Sequence, residues 1–210
     1  DTGRGDFCRH DEPVMQGESY YFTALARNKK SLSVNLKSRE GKEIFHKLAA
    51  KSDIILESFR PGVTTRLGID YEQIKAVKPD IIYCSLSGYG QSNPNSLKAL
   101  HDINMQAQTG YLSLNGGKTS PLHLCDLASG MVAAQAMLAA LYQRSVSGKG
   151  NYIDISMFDS FVWWNSMLDS RYYFYGGSLE AKDLEYPAVC YNIYDTKDGG
   201  KIAVGMVEEK

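Results

Sequence analysis

Residues 53–86 read DIILESFRPGVTTRLGIDYEQIKAVKPDIIYCSL, and this pattern decides the expected fold class. The stretch begins with the short apolar run DIILE (53–57), which predicts a buried strand, and Pro61–Gly62 then interrupts regular structure. The segment YEQIKAV (71–77) predicts a short helix, and IIYCSL (81–86) predicts a second buried strand. Two such strands joined through a helix form a βαβ unit, and such units build a parallel sheet.

The alternation of strand and helix patterns continues along the chain. After Gly176 the composition changes, and residues 190–206 predict a hairpin about a Lys-Asp-Gly-Gly turn. The expected fold class is therefore α/β with a mostly parallel sheet, followed by the start of a smaller α+β domain. The further predicted strands span 31–36 and 151–156, and the further predicted helices span 38–52, 126–145 and 157–175.

Composition and charge are those of an ordinary folded domain. Hydrophobic residues make up 43% and charged residues 22%, and the formal net charge is −1. This balance predicts neither a nucleic-acid surface nor an acidic tail. No uninterrupted apolar run approaches the roughly 20 residues that span a bilayer, so no membrane partner is expected.

The four cysteines show no metal-ligand spacing and no CxxC pair. They predict reduced thiols in a cytoplasmic protein, and no metal is expected. The opening segment has neither an initiator Met nor a signal peptide, so we expect a fragment of a longer chain. The cysteines are Cys8, Cys84, Cys125 and Cys190.

Two polar residues are candidates for acid–base chemistry. His101 lies in LHDIN (100–104), where Asp102 or Asn104 could fix its tautomer, although a lone histidine is more often structural or solvated. Asp126 lies in LCDLASG at the start of a long apolar helix, where it could equally be the helix N-cap. Two bases on opposite sides of one carbon could remove a proton from one face and return it to the other.

Charged residues at two loops are further candidates. Arg60 and Arg66 flank the Pro-Gly break after a predicted strand, and ligands of parallel α/β sheets bind at such strand ends. Arginine can pair with phosphate bidentately, or it can be a solvated surface charge. Glu208 follows the last predicted strand and is most simply a surface glutamate. No dinucleotide fingerprint, Walker loop or zinc-protease motif occurs.

Long segments of the chain resemble the N-terminal half of the family III CoA-transferases. That family includes formyl-CoA transferase, carnitine CoA-transferase and α-methylacyl-CoA racemase. The motifs FRPG followed by RLG, and SGYGQ, are specific to it. The matching segments are NKKSLSVNLKSREGKEIFHKL (28–48), the run from Ser52 to Ser92, and SGKGNYIDISMFDS (147–160).

The resemblance implies a Rossmann-like large domain over residues 1–176, with the first strand of the family missing. Residues 177–210 would be a linker and the start of the small domain. It also implies a homodimer in which each chain threads through a ring made by the other. The partner would be an acyl-CoA thioester, so coenzyme A enters as part of the substrate and no separate cofactor is expected.

The resemblance assigns roles to three polar residues. The aspartate of CDLASG matches a position that is a base in the racemases, HDIN resembles the motif of the opposing base, and VGMVEEK resembles the segment that supports that histidine. We therefore predict a racemase or epimerase of 2-methyl-branched acyl-CoA. His101 and Asp126 would be the two acid/base groups, and Glu208 would orient His101. We expect the backbone N–H of Asp126 to be a donor to the enolate oxygen.

Two alternatives stay open. In the transferases the matching aspartate is acylated, so Asp126 would be a nucleophile that forms an acyl anhydride and then an aspartyl-CoA thioester, while His101 lines the pocket. A scaffold without activity is the third possibility, and the retained polar residues disfavour it. Leu100 stands where glycine is usual and SNP (92–94) where TGP is usual, which leaves the acyl group undetermined.

The resemblance also implies a binding site for coenzyme A. The arginines would pair with its phosphate groups, and the backbone near Leu36 and Phe59 would flank the adenine. Ser58 stands where asparagine is usual, without changing the reaction class. The residues of this expected site are Leu36, Ser58, Phe59, Arg60 and Arg66.

Overall fold

A computed structural model describes residues 5–178 and 189–206. The chain divides into two compact units, made of the described parts of Asp1–Ser85 with Gln135–Asp154 and of Leu86–Ala134 with Ile155–Lys210. The boundary predicted between residues 176 and 177 rests on composition and on the resemblance, and it stays a prediction.

Helices and strands alternate through the middle of the chain. A short antiparallel pair precedes them, and an antiparallel hairpin follows them. In chain order the elements are β1 (Val14–Met15), β2 (Glu18–Ser19), α1 (Tyr20–Leu25), α2 (Arg39–Ala49), β3 (Ile54–Glu57), α3 (Val63–Leu67), α4 (Tyr71–Val77), β4 (Ile82–Ser87), α5 (Asp102–Gln108), α6 (Tyr111–Leu114), α7 (Leu124–Ser147), β5 (Asn151–Ser156), α8 (Met157–Trp164), α9 (Ser166–Phe174), β6 (Tyr191–Asp195) and β7 (Lys201–Gly205).

A parallel three-stranded sheet organises the first unit. Its order is β3-β4-β5, and the register of β3 on β4 pairs Ile54 with Ile82 and Glu57 with Ser85. The central strand β4 is buried along most of its length, as expected for a strand that is covered on both faces. The predicted α/β class with a parallel sheet is therefore confirmed.

The core of the first unit forms where α2 and α4 meet the sheet. Ile74 of α4 and Tyr83 of β4 are fully buried there, and Phe45 and Ile55 pack against them. The hydroxyl of Tyr83 donates to the carbonyl oxygen of Ile69 at 2.9 Å. Burial of this ring and its hydrogen-bonded hydroxyl together fix the loop that precedes α4.

The core of the second unit forms around the first turns of α7. Cys125 and Ala128 are fully buried there against Met105 of α5 and Phe161 of α8. By length and apolar composition α7 meets the minimum for a membrane-crossing helix, a test that core helices of soluble proteins also pass. The buried residues of its first turns show that this part of α7 packs against protein.

Three predicted elements differ from the structure. Residues 31–36 form no strand, and they lead into a turn in which the side chain of Asn35 accepts from the N–H of Lys37. The helix predicted from residue 126 begins two residues earlier, at Leu124. The helix predicted over 157–175 is divided at Asn165, where α8 ends and α9 begins. The predicted hairpin is confirmed as β6 and β7.

Arg144, near the end of α7, contacts both of the chain segments that lead into β3 and β4. Its Nη2 lies 2.8 Å from Oδ1 of Asp53, and its Nη1 donates to the carbonyl oxygens of Asp53 and Asp80, each at 3.2 Å. The side chain is only 16% exposed. Because one guanidinium serves both strand entries, it holds the amino-terminal edge of the sheet.

We predict that Arg144→Ala lowers the free energy of unfolding by about 1.5–3 kcal/mol, the range for hydrogen bonds to a charged group. Urea denaturation measures the change. The matched control is Arg39→Ala, because Arg39 pairs with Glu43 on α2 while 86% of its side chain is exposed. Such a surface pair contributes about 0.5 kcal/mol or less. Equal losses in the two variants would show that the contacts of Arg144 do not stabilise the sheet.

Candidate active site

One buried carboxylate joins the first turns of α5 and α7 in the second unit. Asp102 is the first residue of α5, and its Oδ1 accepts the backbone N–H groups of Cys125 at 2.7 Å and Asp126 at 3.2 Å. The first N–H groups of a helix have no partner within the helix, and a capping side chain usually satisfies them. Here a side chain 23 residues distant in sequence fills that role for α7.

Asp126 is the third residue of α7 and is not its N-cap. The carbonyl of His123 accepts the first N–H bond of the helix, from Leu127, which places the cap at His123. The side chain of Asp126 is 46% exposed, and its Oδ2 lies 3.9 Å from Nδ1 of His123. Asp126 therefore projects a partly exposed carboxylate from a backbone that Asp102 holds.

The surroundings of Asp126 raise the pKa of its carboxyl group. Burial is the largest cause and the neighbouring Asp102 the second, while His123 and His101 act in the opposite direction. A raised pKa makes the ionised form more basic and more nucleophilic than that of an ordinary aspartate. This electrostatic setting suits a proton acceptor or a nucleophile.

His101 lies at the N-cap of α5 and is exposed. Its backbone N–H donates to Oδ1 of Asn104 at 3.0 Å, while the Oδ2 atom of Asp102 accepts from the amide of Gln106. The hydrogen bonds described for Asp102 and Asn104 go to backbone N–H groups and to Gln106, so the expectation that one of them fixes the tautomer of His101 stays a prediction. His101 does lie close enough to Asp126 to affect the pKa of that carboxyl group.

The backbone N–H of Asp126, the predicted oxyanion donor, donates to Oδ1 of Asp102 at 3.2 Å. An enolate oxygen would therefore have to compete with this carboxylate for it. The predicted role of this N–H stays a prediction.

The carboxylates of Asp102 and Asp126 and the imidazole of His123 are groups that can bind a metal ion. One ligand atom from each of Asp102, His123 and Asp126 lies within 4.8 Å of the others. We assign no metal to them, because Oδ1 of Asp102 already accepts two backbone N–H bonds.

The sequence singled out His101 and Asp126 and missed the capping role of Asp102. No local pattern could show that role, because the partners of Asp102 lie on another helix. Glu208, the predicted support of His101, lies outside the described residues.

A separate cavity of about 400 Å³ opens in the first unit at the carboxyl end of β3. Leu36, Ser58 and Phe59 of the expected coenzyme A site line it, together with residues of β3, Phe45, Ile69 and Tyr83. Arg60 and Arg66 are exposed and lie outside this lining. The structure thus brings the three uncharged residues of the expected site to one cavity.

Glu57, the last residue of β3, shapes the loop beside that cavity. One carboxylate oxygen accepts the hydroxyl of Ser85 on β4, and the other accepts the backbone N–H of Phe59 at 2.7 Å. The parallel register places Glu57 and Ser85 side by side. One side chain therefore couples the strand pairing to the position of Phe59.

Known proteins are similar to this chain in both sequence and fold. The model of CoA-transferase family III matches residues 1–210. The chain is 37% identical to succinyl-CoA:glutarate CoA-transferase of Homo sapiens over 206 residues, which cover 94% of this chain and 47% of that protein. It is 35% identical to α-methylacyl-CoA racemase of Homo sapiens over 208 residues, which cover 95% and 54%.

A solved structure agrees with these matches. The crystal structure of a CAIB/BAIF family protein from Brucella suis superposes with a TM-score of 0.86 at 28% identity, covering 97% of this chain and 56% of that one. The chain spans about half the length of the curated relatives that it matches. A family model that covers every residue, with transferase and racemase relatives at similar identity, shows that this chain belongs to CoA-transferase family III.

Proposed function

We propose that the full-length protein transfers coenzyme A from an acyl-CoA thioester to a carboxylic acid, with Asp126 as the covalent carrier. The observation that carries the proposal is the partly exposed Asp126 carboxylate on a helix turn whose backbone is held by Asp102. The identity of 37% with a CoA-transferase supports the same reaction class.

The proposed reaction uses Asp126 twice. Its carboxylate oxygen attacks the thioester carbonyl, and the C–S bond breaks. The thiolate of coenzyme A departs, and the donor acyl group and Asp126 form a mixed anhydride. The thiolate then attacks the aspartyl carbonyl and expels the donor acid, which gives an aspartyl-CoA thioester. The acceptor carboxylate repeats these steps in reverse order, so coenzyme A is conserved and no redox step is needed.

Coenzyme A is proposed to bind in the first unit as part of the substrate, and no resident cofactor is needed. The cavity lined by Leu36, Ser58 and Phe59 offers apolar walls for the adenine. Arg60 and Arg66 are exposed cations of the loop and helix that follow β3, available to phosphate groups. The predicted homodimer, the cytoplasmic location and the absence of nucleic-acid and membrane partners stay predictions.

A racemase is the second candidate, and one observation favours it. His101 is one of the groups whose charge lowers the pKa of the Asp126 carboxyl group, and a two-base proton transfer at an α-carbon would use one group of each kind. In that reaction Asp126 would take or return a proton and would never become acylated. The transferase therefore predicts a covalent adduct on Asp126, whereas the racemase predicts exchange of the α-proton without such an adduct.

We predict that full-length protein incubated with an acyl-CoA thioester gains the mass of coenzyme A less one water on the peptide that contains Asp126, because the thioester sulfur replaces one carboxylate oxygen. Asp126→Asn should abolish the adduct and transfer to an added carboxylate, because the carrier oxygen is gone. His101→Ala should retain the adduct. Peptide mass spectrometry and a transfer assay with an added carboxylic acid provide the measurements.

The opposite pattern identifies the racemase. In D2O with a 2-methylacyl-CoA and no acceptor acid, deuterium would enter the α-carbon without an adduct on Asp126. Inversion would then fall about 10²–10⁴-fold in His101→Ala and in Asp126→Asn alike, the usual contribution of a general acid or base.

For coenzyme A, we predict that Arg66→Ala weakens binding by about 1–3 kcal/mol, because a charge-assisted contact to phosphate is lost. Isothermal titration with coenzyme A measures the change. Arg39→Ala is again the matched control, since it also removes one exposed arginine from the first unit. If both variants bind coenzyme A as tightly as the wild type, Arg66 has no role in the site.

A further inference from the structure

Asp102 is the most buried charged group at the candidate site, and neither reaction scheme uses it. Only 7% of the residue is exposed. Its two oxygens accept hydrogen bonds from the backbone of Cys125 and Asp126 and from the side chain of Gln106. A buried carboxylate is costly unless it is well hydrogen-bonded, and these three donors offset that cost.

We propose that Asp102 is a positioning residue for Asp126, fixing the first turn of α7 from which Asp126 projects and placing a second negative charge beside its carboxylate. The inference rests on the proposed role of Asp126 as the reacting group. It adds a residue that acts through Asp126 and touches no substrate.

The positioning part follows from the hydrogen bonds. Oδ1 of Asp102 accepts the N–H groups of the second and third residues of α7. The carbonyl oxygen of the N-cap residue His123 accepts from Leu127. The third residue is Asp126 itself. A shift of Asp102 would therefore move the Cα from which the reacting carboxylate extends.

The charge part follows from the groups around Asp126. Asp102 is the neighbour that raises the pKa of its carboxyl group, and His101 and His123 are the neighbours that lower it. The thiol of Cys125 is itself buried, which raises its pKa and leaves it uncharged. Removing the charge of Asp102 alone must therefore lower the pKa of Asp126.

Asp102→Asn separates the two parts. An amide oxygen still accepts the two backbone N–H bonds, and the Gln106 side chain can turn its unpartnered oxygen towards the new amide nitrogen. The first turn of α7 therefore stays in place, while the negative charge is lost. We expect a folded variant in which Asp126 titrates at lower pH than in the wild type. The alkaline plateau of kcat/KM should also fall, because a less basic carboxylate is a weaker nucleophile.

The titration of Asp126 is measured directly by carbon-detected NMR on full-length protein labelled at the aspartate Cγ. The signal is assigned through its loss in Asp126→Asn. Asp159→Asn is the matched control, since Asp159 lies in the first turn of α8 in the same unit. That variant should leave the titration of Asp126 unchanged, whereas Asp102→Asn should shift it to lower pH, together with the acid limb of kcat/KM.

The outcomes separate this inference from the proposed transfer reaction. If the Asp126 signal titrates at the same pH in Asp102→Asn as in the wild type, the charge role is wrong. Failure of that variant to fold would also contradict the inference, because the retained oxygen acceptor predicts a folded protein. A shifted titration in a protein that never forms a coenzyme A adduct would support the role of Asp102 and reject the transferase.

Discussion

The parallel register of β3 against β4 determines the contacts at both ends of these two strands. It places Glu57 beside Ser85 at the carboxyl edge, where Glu57 holds the loop at Phe59. At the opposite edge it brings together the carbonyl groups that Arg144 binds. A slip of one residue would turn side chains to the other face of the sheet and would separate both sets of partners. The cavity beside Phe59 and the contacts of Arg144 therefore both depend on the pairing of β3 with β4.

In the second unit, two carboxylates share the positive end of α7, and the structure gives them different tasks. Asp102 takes the backbone N–H groups and is buried, whereas Asp126 keeps its oxygens partly exposed. If Asp126 capped the helix itself, its oxygens would be engaged by N–H groups, which lowers basicity. Because a distant side chain performs the capping, the carboxylate of Asp126 stays partly exposed.

Apolar runs with clear ends were sufficient to predict the sheet. DIILE and IIYCSL have the length and residue types of buried strands, and the helix between them follows from its spacing. SLSVNL has the same alternation as a strand, yet it forms none, because alternation does not reveal whether a neighbouring strand is present to pair with it. Strand existence depends on tertiary contacts that a single segment cannot encode.

The candidate site was predictable to a smaller extent. His101 and Asp126 are chemically conspicuous, and the charge of His101 acts on the pKa of Asp126. The start of α7 at Leu124 and the task of Asp102 were not predictable, since both depend on hydrogen bonds between segments 23 and 24 residues apart. The sequence contains both aspartates, but only the fold determines which one caps the helix and which one remains partly exposed.

The raised pKa of Asp126 has a consequence for the proposed transfer. In the mixed anhydride, the thiolate of coenzyme A can attack either carbonyl, and the other carboxylate must leave. A carboxylate with a higher pKa is the poorer leaving group, because its negative charge is less stable. The burial of Asp126 and the charge of Asp102 therefore disfavour return to the donor thioester. They favour expulsion of the donor acid in the first half of the proposed reaction. Because the second half runs in reverse order, the same electrostatics also slow the final step, in which the carboxylate of Asp126 is expelled from the acceptor anhydride.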